Sequence, residues 1–296
     1  MSLRIVFIGT VAHSRACLSH LIQMNAGLVG VVSQPGSTYN SDFARLDDLA
    51  KAATIPYFPT KAINASETIK WIRARAPDGI FCFGWSQLIR AELLNLAPLG
   101  VIGYHPAMLP KNRGRHPLIW ALALGLEQTG STFFFMDEGA DSGDILSQQV
   151  IDIAPDDDAS DLYQKMTGTA LAQISTFLPH LEQGTYQRLP QDHSLANSWR
   201  KRSATDGRID WRMPTSAIYN LVRALARPYP GATFTHEGRD ITVWKTRPEP
   251  SETPSNLEPG QVLGVSDRVI TIKTGDGAIR LLEYDLETPL ELGIYL

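Results

Sequence analysis

Four short apolar runs, at residues 4–9, 28–33, 78–83 and 100–104, are separated by stretches with helical spacing. This alternation constrains the fold more than any other feature of the chain. A strand with no polar side chain must be covered on both faces, and strands that alternate with helices build a mostly parallel sheet with right-handed crossovers. Helices are expected at residues 12–25, where Cys17, Leu18, Leu21 and Ile22 share a face, at 39–53 after a capping Ser41, and at 66–75, with a break at 56–59. The expected fold class is α/β with a doubly wound, mostly parallel sheet, closed by a helix over residues 159–181 that Asp158 or Ser160 would cap.

The pattern then changes. Residues 182–198 are polar and aperiodic, which sets a first domain at residues 1–189, a linker at 190–200 and a second domain at 201–296. One helix at 215–226 and short strands at 232–234, 241–245, 261–265, 269–273 and 279–283 suggest a small β-barrel, interrupted by a Pro- and Ser-rich surface loop at 248–259. A length of 296 residues fits about two domains at roughly 150 residues each. With 43% hydrophobic and 20% charged residues the chain is neither disordered nor fibrous. Its net charge of −4 gives no general attraction to nucleic acid or anionic membranes. Cys17 and Cys82 lie in apolar surroundings, as buried free thiols in a reducing compartment do. The apolar run after Arg4 is too short for a signal-peptide core and no run reaches about 18 apolar residues, so a cytoplasmic location is expected.

Motifs for several chemistries are missing. The turn after the first strand reads GTVAHS, not GxGxxG, and there is no GxxxxGK[ST], CxxC or HExxH. Nicotinamide chemistry, P-loop phosphoryl transfer and the common zinc sites are therefore not expected, and no metal is called for. Polar residues concentrate instead between 100 and 145, where His105, Lys111, Arg113, Arg115, His116, Asp137, Asp141 and Asp144 stand beside apolar runs. His105 directly follows a parallel strand, at the edge where open α/β sheets bind ligands. The run STFFFM at 131–136 delivers an acidic loop from a second strand end. Spacing alone leaves two readings open: a His and an Asp that meet across a cleft, or a satisfied loop histidine beside a solvated turn. The same holds for Trp85 and Leu88 as core or site wall, and for Arg113 and Arg115 as anion ligands or loop charges. Tyr104 reads as core and Asp156, Asp157 and Asp158 as a solvated run with a helix cap.

The stretch HPAMLPKNRGRHPLIWAL, followed by TGSTFFFMDEGADSGDI, resembles the signature of N10-formyltetrahydrofolate-dependent formyltransferases, close to NxHxSLLPxxRGxxP and TGxTxxxMxxxxDxGxI. WRKRSATDGRIDWRMPTSAIYNLVRALARPYPGA and VWKTRP are similar to the barrel domain of the methionyl-tRNA and sugar-nucleotide members, so the resemblance covers nearly the whole chain. It implies a Rossmann-like catalytic domain with an OB-like barrel, His105 and Asp141 as catalytic pair, and no metal. It further implies folate contacts at Gln87, Leu88, Ile89, Arg115, Asp137, Glu138, Gly139 and Ala140. In such acyl transfer His105 would act as acid, base and oxyanion donor, with Asp141 orienting the imidazole.

One position departs from the family pattern. Gly103 stands where the family has an Asn that helps hold the formyl oxygen, although formyltetrahydrofolate-hydrolysing relatives also lack it. For the acceptor, residues 201–296 carry 12 Lys and Arg against 13 Asp and Glu, too balanced for a tRNA-binding barrel. The wording RGRHPLIWAL, DEGADSGDI and RPYPGA resembles enzymes that formylate a nucleotide-linked amino sugar for surface glycans. A diphosphate would then meet Thr10, Ser14 and Arg113. Methionyl-tRNA formyltransferase and formyltetrahydrofolate hydrolase are the alternatives, and a homodimer through Ile241, Val243 and Trp244 competes with these residues forming barrel core.

Overall fold

Each apolar run becomes a strand, because a segment without polar side chains loses most by facing water. The computed structural model describes residues 2–36, 41–249, 256–286 and 290–296. In chain order it begins with β1 (Ile5–Ile8), α1 (Ala12–Gln23), β2 (Leu28–Ser33), α2 (Asp47–Ala52), β3 (Tyr57–Pro59), α3 (Ser66–Arg73), β4 (Gly79–Cys82), α4 (Ala91–Leu94) and β5 (Val101–His105). It continues with β6 (Arg113–Gly114), α5 (Pro117–Ala123), β7 (Gln128–Phe135), β8 (Ile145–Asp152), α6 (Ala159–Gln183), β9 (Ser198–Trp199) and α7 (Thr215–Leu225). The last strands are β10 (Ala232–His236), β11 (Arg239–Glu249), β12 (Val262–Ser266), β13 (Val269–Lys273) and β14 (Ala278–Tyr284). The chain divides into two compact units, one of Met1–Pro117, Thr129–Ile151 and Gln164–Trp199, the other of Leu118–Gln128, Asp152–Tyr163 and Arg200–Leu296.

In the first unit seven strands form one sheet in the order β3-β2-β1-β4-β5-β7-β8. The strands from β3 to β5 run parallel and β7 runs antiparallel to β5, so the sheet is of the expected mostly parallel, doubly wound kind. Successive residues of β1 and β4 feed opposite faces. Phe7, Phe81 and Phe83 pack with Cys17, Leu18 and Leu21 of α1 and Ile174 and Phe177 of α6. Val6, Ile8, Ile80 and Cys82 pack with Ile72 of α3 and Leu93 of α4. The strand order reverses between β1 and β4, where folds of this kind open a crevice.

Three expectations need correction. The helix expected at 39–53 shrinks to α2, because residues 41 and 42 form a turn, Phe43 bridges Val11 and Ala44 donates to the Thr10 carbonyl, which keeps them out of a helix; residues 39 and 40 lie outside the described ones. The break expected at 56–59 is instead β3, whose Tyr57, Phe58 and Pro59 register with Val31, Val32 and Ser33 of β2. Asp157 is not solvated: it is buried, with Oδ2 accepting from Ala154 N at 2.7 Å and its carbonyl accepting from Arg223 at 3.0 Å. Asp158 caps α6, accepting from the amides of Ser160 and Asp161.

The second unit holds a five-stranded antiparallel sheet, β10-β11-β14-β13-β12, with the buried side chains Ile218, Leu221 and Val222 on α7, consistent with a small barrel domain. Ile241 and Val243 are buried in this unit, and Trp244 lies under Arg227, 4.1 Å from guanidinium carbon to ring centroid. Ile241 and Val243 therefore serve the interior of their own unit, whereas Trp244 stays half-buried at its surface. Pro248 and Glu249 extend β11, and residues 250–255 of the expected surface loop lie outside the described residues. Among the described residues no helix is long and apolar enough to cross a membrane.

Candidate active site

His105 ends β5 because Pro106 cannot donate to the next rung of the sheet. Its ring is buried, and Nε2 lies 2.8 Å from the carbonyl of Asn112. That contact makes Nε2–H the donor and leaves Nδ1 as the basic nitrogen. Nδ1 faces Asp141 Oδ2 at 3.5 Å, longer than a good hydrogen bond. The same Oδ2 accepts from the amide of Gly114 at 2.9 Å, so the oxygen that faces the ring is also held by the backbone. A lone pair and a carboxylate oxygen thus converge on one place, which suits an N–H donor.

Asp141 reaches this position by an indirect route. Since β7 is antiparallel, its last residue Phe135 pairs with Ile102 near the start of β5, roughly 10 Å from His105 at about 3.3 Å per residue. The acidic loop doubles back to bring Asp141 to the ring. Asp137 starts the return, its Oδ1 accepting from Gly139 N at 3.0 Å and Ser142 Oγ at 2.7 Å. Gly143 finishes it: a Cβ there would sit 1.8 Å from the Phe135 carbonyl, so only glycine lets the loop close onto the strand. Asp141 itself has φ of 54°, in the left-handed region that most residues avoid.

The other expected residues divide into those near this edge and those used elsewhere. Arg115 donates to the Ser86 carbonyl at 2.9 Å and so joins the loop after β4. In that loop Leu88 is 62% exposed, Ile89 is buried, and the Gln87 side chain is tied down, donating to Lys61 O and accepting from Ile63 N. Trp85 packs against the core and Leu88 does not. Asp137, Glu138, Gly139 and Ala140 are exposed, although the Asp137 carboxylate is already spent on its own loop.

Three residues expected to touch substrate have neighbours of their own in the structure. Thr10 and Ser14 are wholly buried, and the Ser14 hydroxyl clamps β1 to β4 by donating to Phe83 O at 2.6 Å while accepting from the amides of Thr10 and Val11. Arg113 gives Nη2 to Gln191 Oε1 at 2.6 Å and His193 Nδ1 at 3.0 Å, while its buried Nε meets no partner among the described residues. The His105 Nε2–H is given to the Asn112 carbonyl, so only Nδ1 of that ring remains to face a reacting group.

At Gly103 a Cβ would meet Met136 Cγ at 2.8 Å and Phe134 Cε1 at 3.1 Å. The place of the missing amide is filled by a thioether, which donates no hydrogen bond. Asn112, Gly114 and Gln191 were not foreseen; the first two act through backbone atoms, which sequence motifs do not mark. A cavity of about 510 Å³ lined by Leu99, Gly100, Phe135, Met136 and Arg188 lies at the start of β5, the edge opposite His105. Among the described residues no group of three or more His, Cys, Asp or Glu could hold a metal ion.

A family model described as "Formyl transferase" matches residues 3–176, and one described as "Formyl transferase, C-terminal domain" matches residues 201–292. The methionyl-tRNA formyltransferase of Solibacter usitatus (strain Ellin6076) is 32% identical over 289 residues, covering 96% of this chain and 91% of that protein. HypX from Aquifex aeolicus, solved in complex with tetrahydrofolic acid, superposes with a TM-score of 0.69 at 20% identity; the match covers 95% of this chain and 44% of HypX, so this chain spans less than half of that protein. WlaRD, a sugar 3N-formyl transferase solved with dTDP and 5-N-formyl-THF, superposes with a TM-score of 0.73 at 16% identity over 97% of this chain and 100% of WlaRD. At such identities the structural matches speak to the fold.

Proposed function

The chain belongs to the formyltransferase family, and from that premise we propose that it moves a formyl group from N10-formyltetrahydrofolate to the amino group of a nucleotide-linked amino sugar used for a surface glycan. The observation that carries the choice of acceptor is the charge of the second unit. Arg200, Arg208, Arg212, Arg227 and Arg280 each face a carboxylate of their own unit, Asp206, Asp240, Asp210, Glu283 and Glu249 respectively. With 12 cations against 13 anions over residues 201–296, that surface offers a polyanion little attraction.

The donor supplies a formyl carbon on a nitrogen that can leave. The loop after β4 fits such a molecule, because the exposed apolar Leu88 stands in the loop that Arg115 anchors at Ser86, with the Gln87 side chain fixed between those two loop residues. In this reading Gln87, Leu88 and Ile89 offer backbone groups to the heterocycle, Arg115 faces its carboxylate end, and residues 137–140 contribute from the acidic loop. The attacking amine donates into the gap between His105 Nδ1 and Asp141 Oδ2. His105 takes the proton that the amine loses as its nitrogen bonds to the formyl carbon, Asp141 stabilises the imidazolium, and the same proton passes to N10 as its bond to the formyl carbon breaks, so that tetrahydrofolate leaves neutral at that nitrogen. Gly103 supplies no oxyanion donor.

Two other readings have their own support. The 32% identical relative is a tRNA enzyme, and the missing amide at position 103 suits a hydrolase in which water replaces the amine. Release of tetrahydrofolate from N10-formyltetrahydrofolate separates them, measured with no acceptor, with amino-sugar nucleotides and with methionyl initiator tRNA. An amino-sugar nucleotide is expected to raise the rate at least about tenfold over donor alone, a difference of about 1.4 kcal/mol in activation free energy. Acceleration by the tRNA instead, or full rate without acceptor, overturns the proposal.

A further inference from the structure

The segment between α6 and β9 is more than a connection. Gln191 on it is buried, and its carboxamide is used on every side. Nε2 donates to the carbonyls of Asp141 at 3.0 Å and Gly143 at 2.6 Å, while Oε1 accepts from Arg113 at 2.6 Å. Arg113 and Gly114 in turn pair with Ser198 and Trp199, and Asn112 N donates to Asn197 Oδ1 at 2.8 Å. Gly114 has φ of 103°, and a Cβ there would lie 2.3 Å from the Trp199 carbonyl. One strap therefore holds the backbone of Asp141, the amide that fixes its carboxylate, and the residue whose carbonyl fixes the His105 ring.

Only a carboxamide satisfies this geometry, since two donors must face two carbonyls while one acceptor faces a guanidinium. The left-handed backbone of Asp141 needs such restraint, because an isolated aspartate would relax out of it. We propose that Gln191 is a positioning residue that sets Asp141 against His105; the proposal rests on the reading that this pair is catalytic. Gln191→Glu keeps the volume but turns an oxygen toward two carbonyls, and Gln191→Met removes every polar contact.

The test compares wild type, Q191E, Q191M, D141N and the D141N/Q191E pair by tetrahydrofolate release, together with the amide resonance of Gly114, which reports the hydrogen bond to Asp141 without any turnover. Both Gln191 variants should lose at least about tenfold in kcat while KM for the donor changes less than about threefold, and Q191E should cost nothing further in the D141N background. The Gly114 amide should shift in both. Variants that keep wild-type kcat with an unmoved Gly114 signal, or a Q191E loss repeated in full on D141N, overturn the positioning role. If wild type releases no tetrahydrofolate with any of the acceptors or with water alone, the functional reading fails, and the Gly114 resonance still decides whether Gln191 holds Asp141.

Discussion

Met136 and Phe134 leave no room beside Gly103 for a side chain. Gly103→Asn should therefore destabilise the protein by about 1–3 kcal/mol, as overpacking does, and part of the loss should return when Met136→Ala is added. Urea unfolding measures both, and an Asn variant as stable as wild type would show that Met136 swings aside freely. His105→Ala and Asp141→Asn should each reduce kcat by about 10²–10⁴-fold. Asn tolerates the left-handed backbone, so D141N is expected to melt with the wild type, and near-normal turnover in either variant would remove the assigned role. His105 and Asp141 could be found in the sequence because side-chain chemistry leaves a motif. Asn112 and Gly114 could not, since a carbonyl and an amide are common to every residue.

At the scale of elements, the strands were legible wherever a run was wholly apolar, and their parallel order followed from the helices between them. The reversed direction of β7 was not, because FFF reads alike in either direction and only the pairing of Phe135 with Ile102 reveals it. The pairing of β6 with β9 was equally hidden, each being two residues long. One packing detail yields a measurable pH effect. His13 on α1 stacks on Tyr104 of β5 at 4.2 Å between ring centroids and lies 3.3 Å from Thr167 Oγ1 of α6. Burial lowers its pKa to about 4, whereas in an unfolded chain it titrates near 6.5. The unfolded chain therefore binds the proton first. His13 contributes fully above about pH 6.5, and the contribution, up to about 3 kcal/mol, drains away as pH falls toward 4. Unfolding free energies of His13→Gln should lack that slope between pH 6.5 and 4, and an unchanged slope would place the titration elsewhere.

For the molecule as a whole, the balance of charge is the property that reaches furthest. With a net charge of −4 and its second-unit arginines paired internally, kcat/KM for the acceptor should vary by less than about threefold between about 50 and about 200 mM salt, whereas neutralising several phosphates of a polynucleotide would cost orders of magnitude. The two cysteines offer a different use. Cys17 and Cys82 are free and buried, burial pushes the Cys82 thiol up to about 12 and Cys17 higher still, and both belong to the sheet-bearing unit. Thiolates are what alkylating reagents attack, so a fluorescent maleimide should leave the folded chain dark and light it only when that half opens. The barrel half has no cysteine and would melt unseen, which turns two inert core residues into a stopwatch for one half of the protein alone.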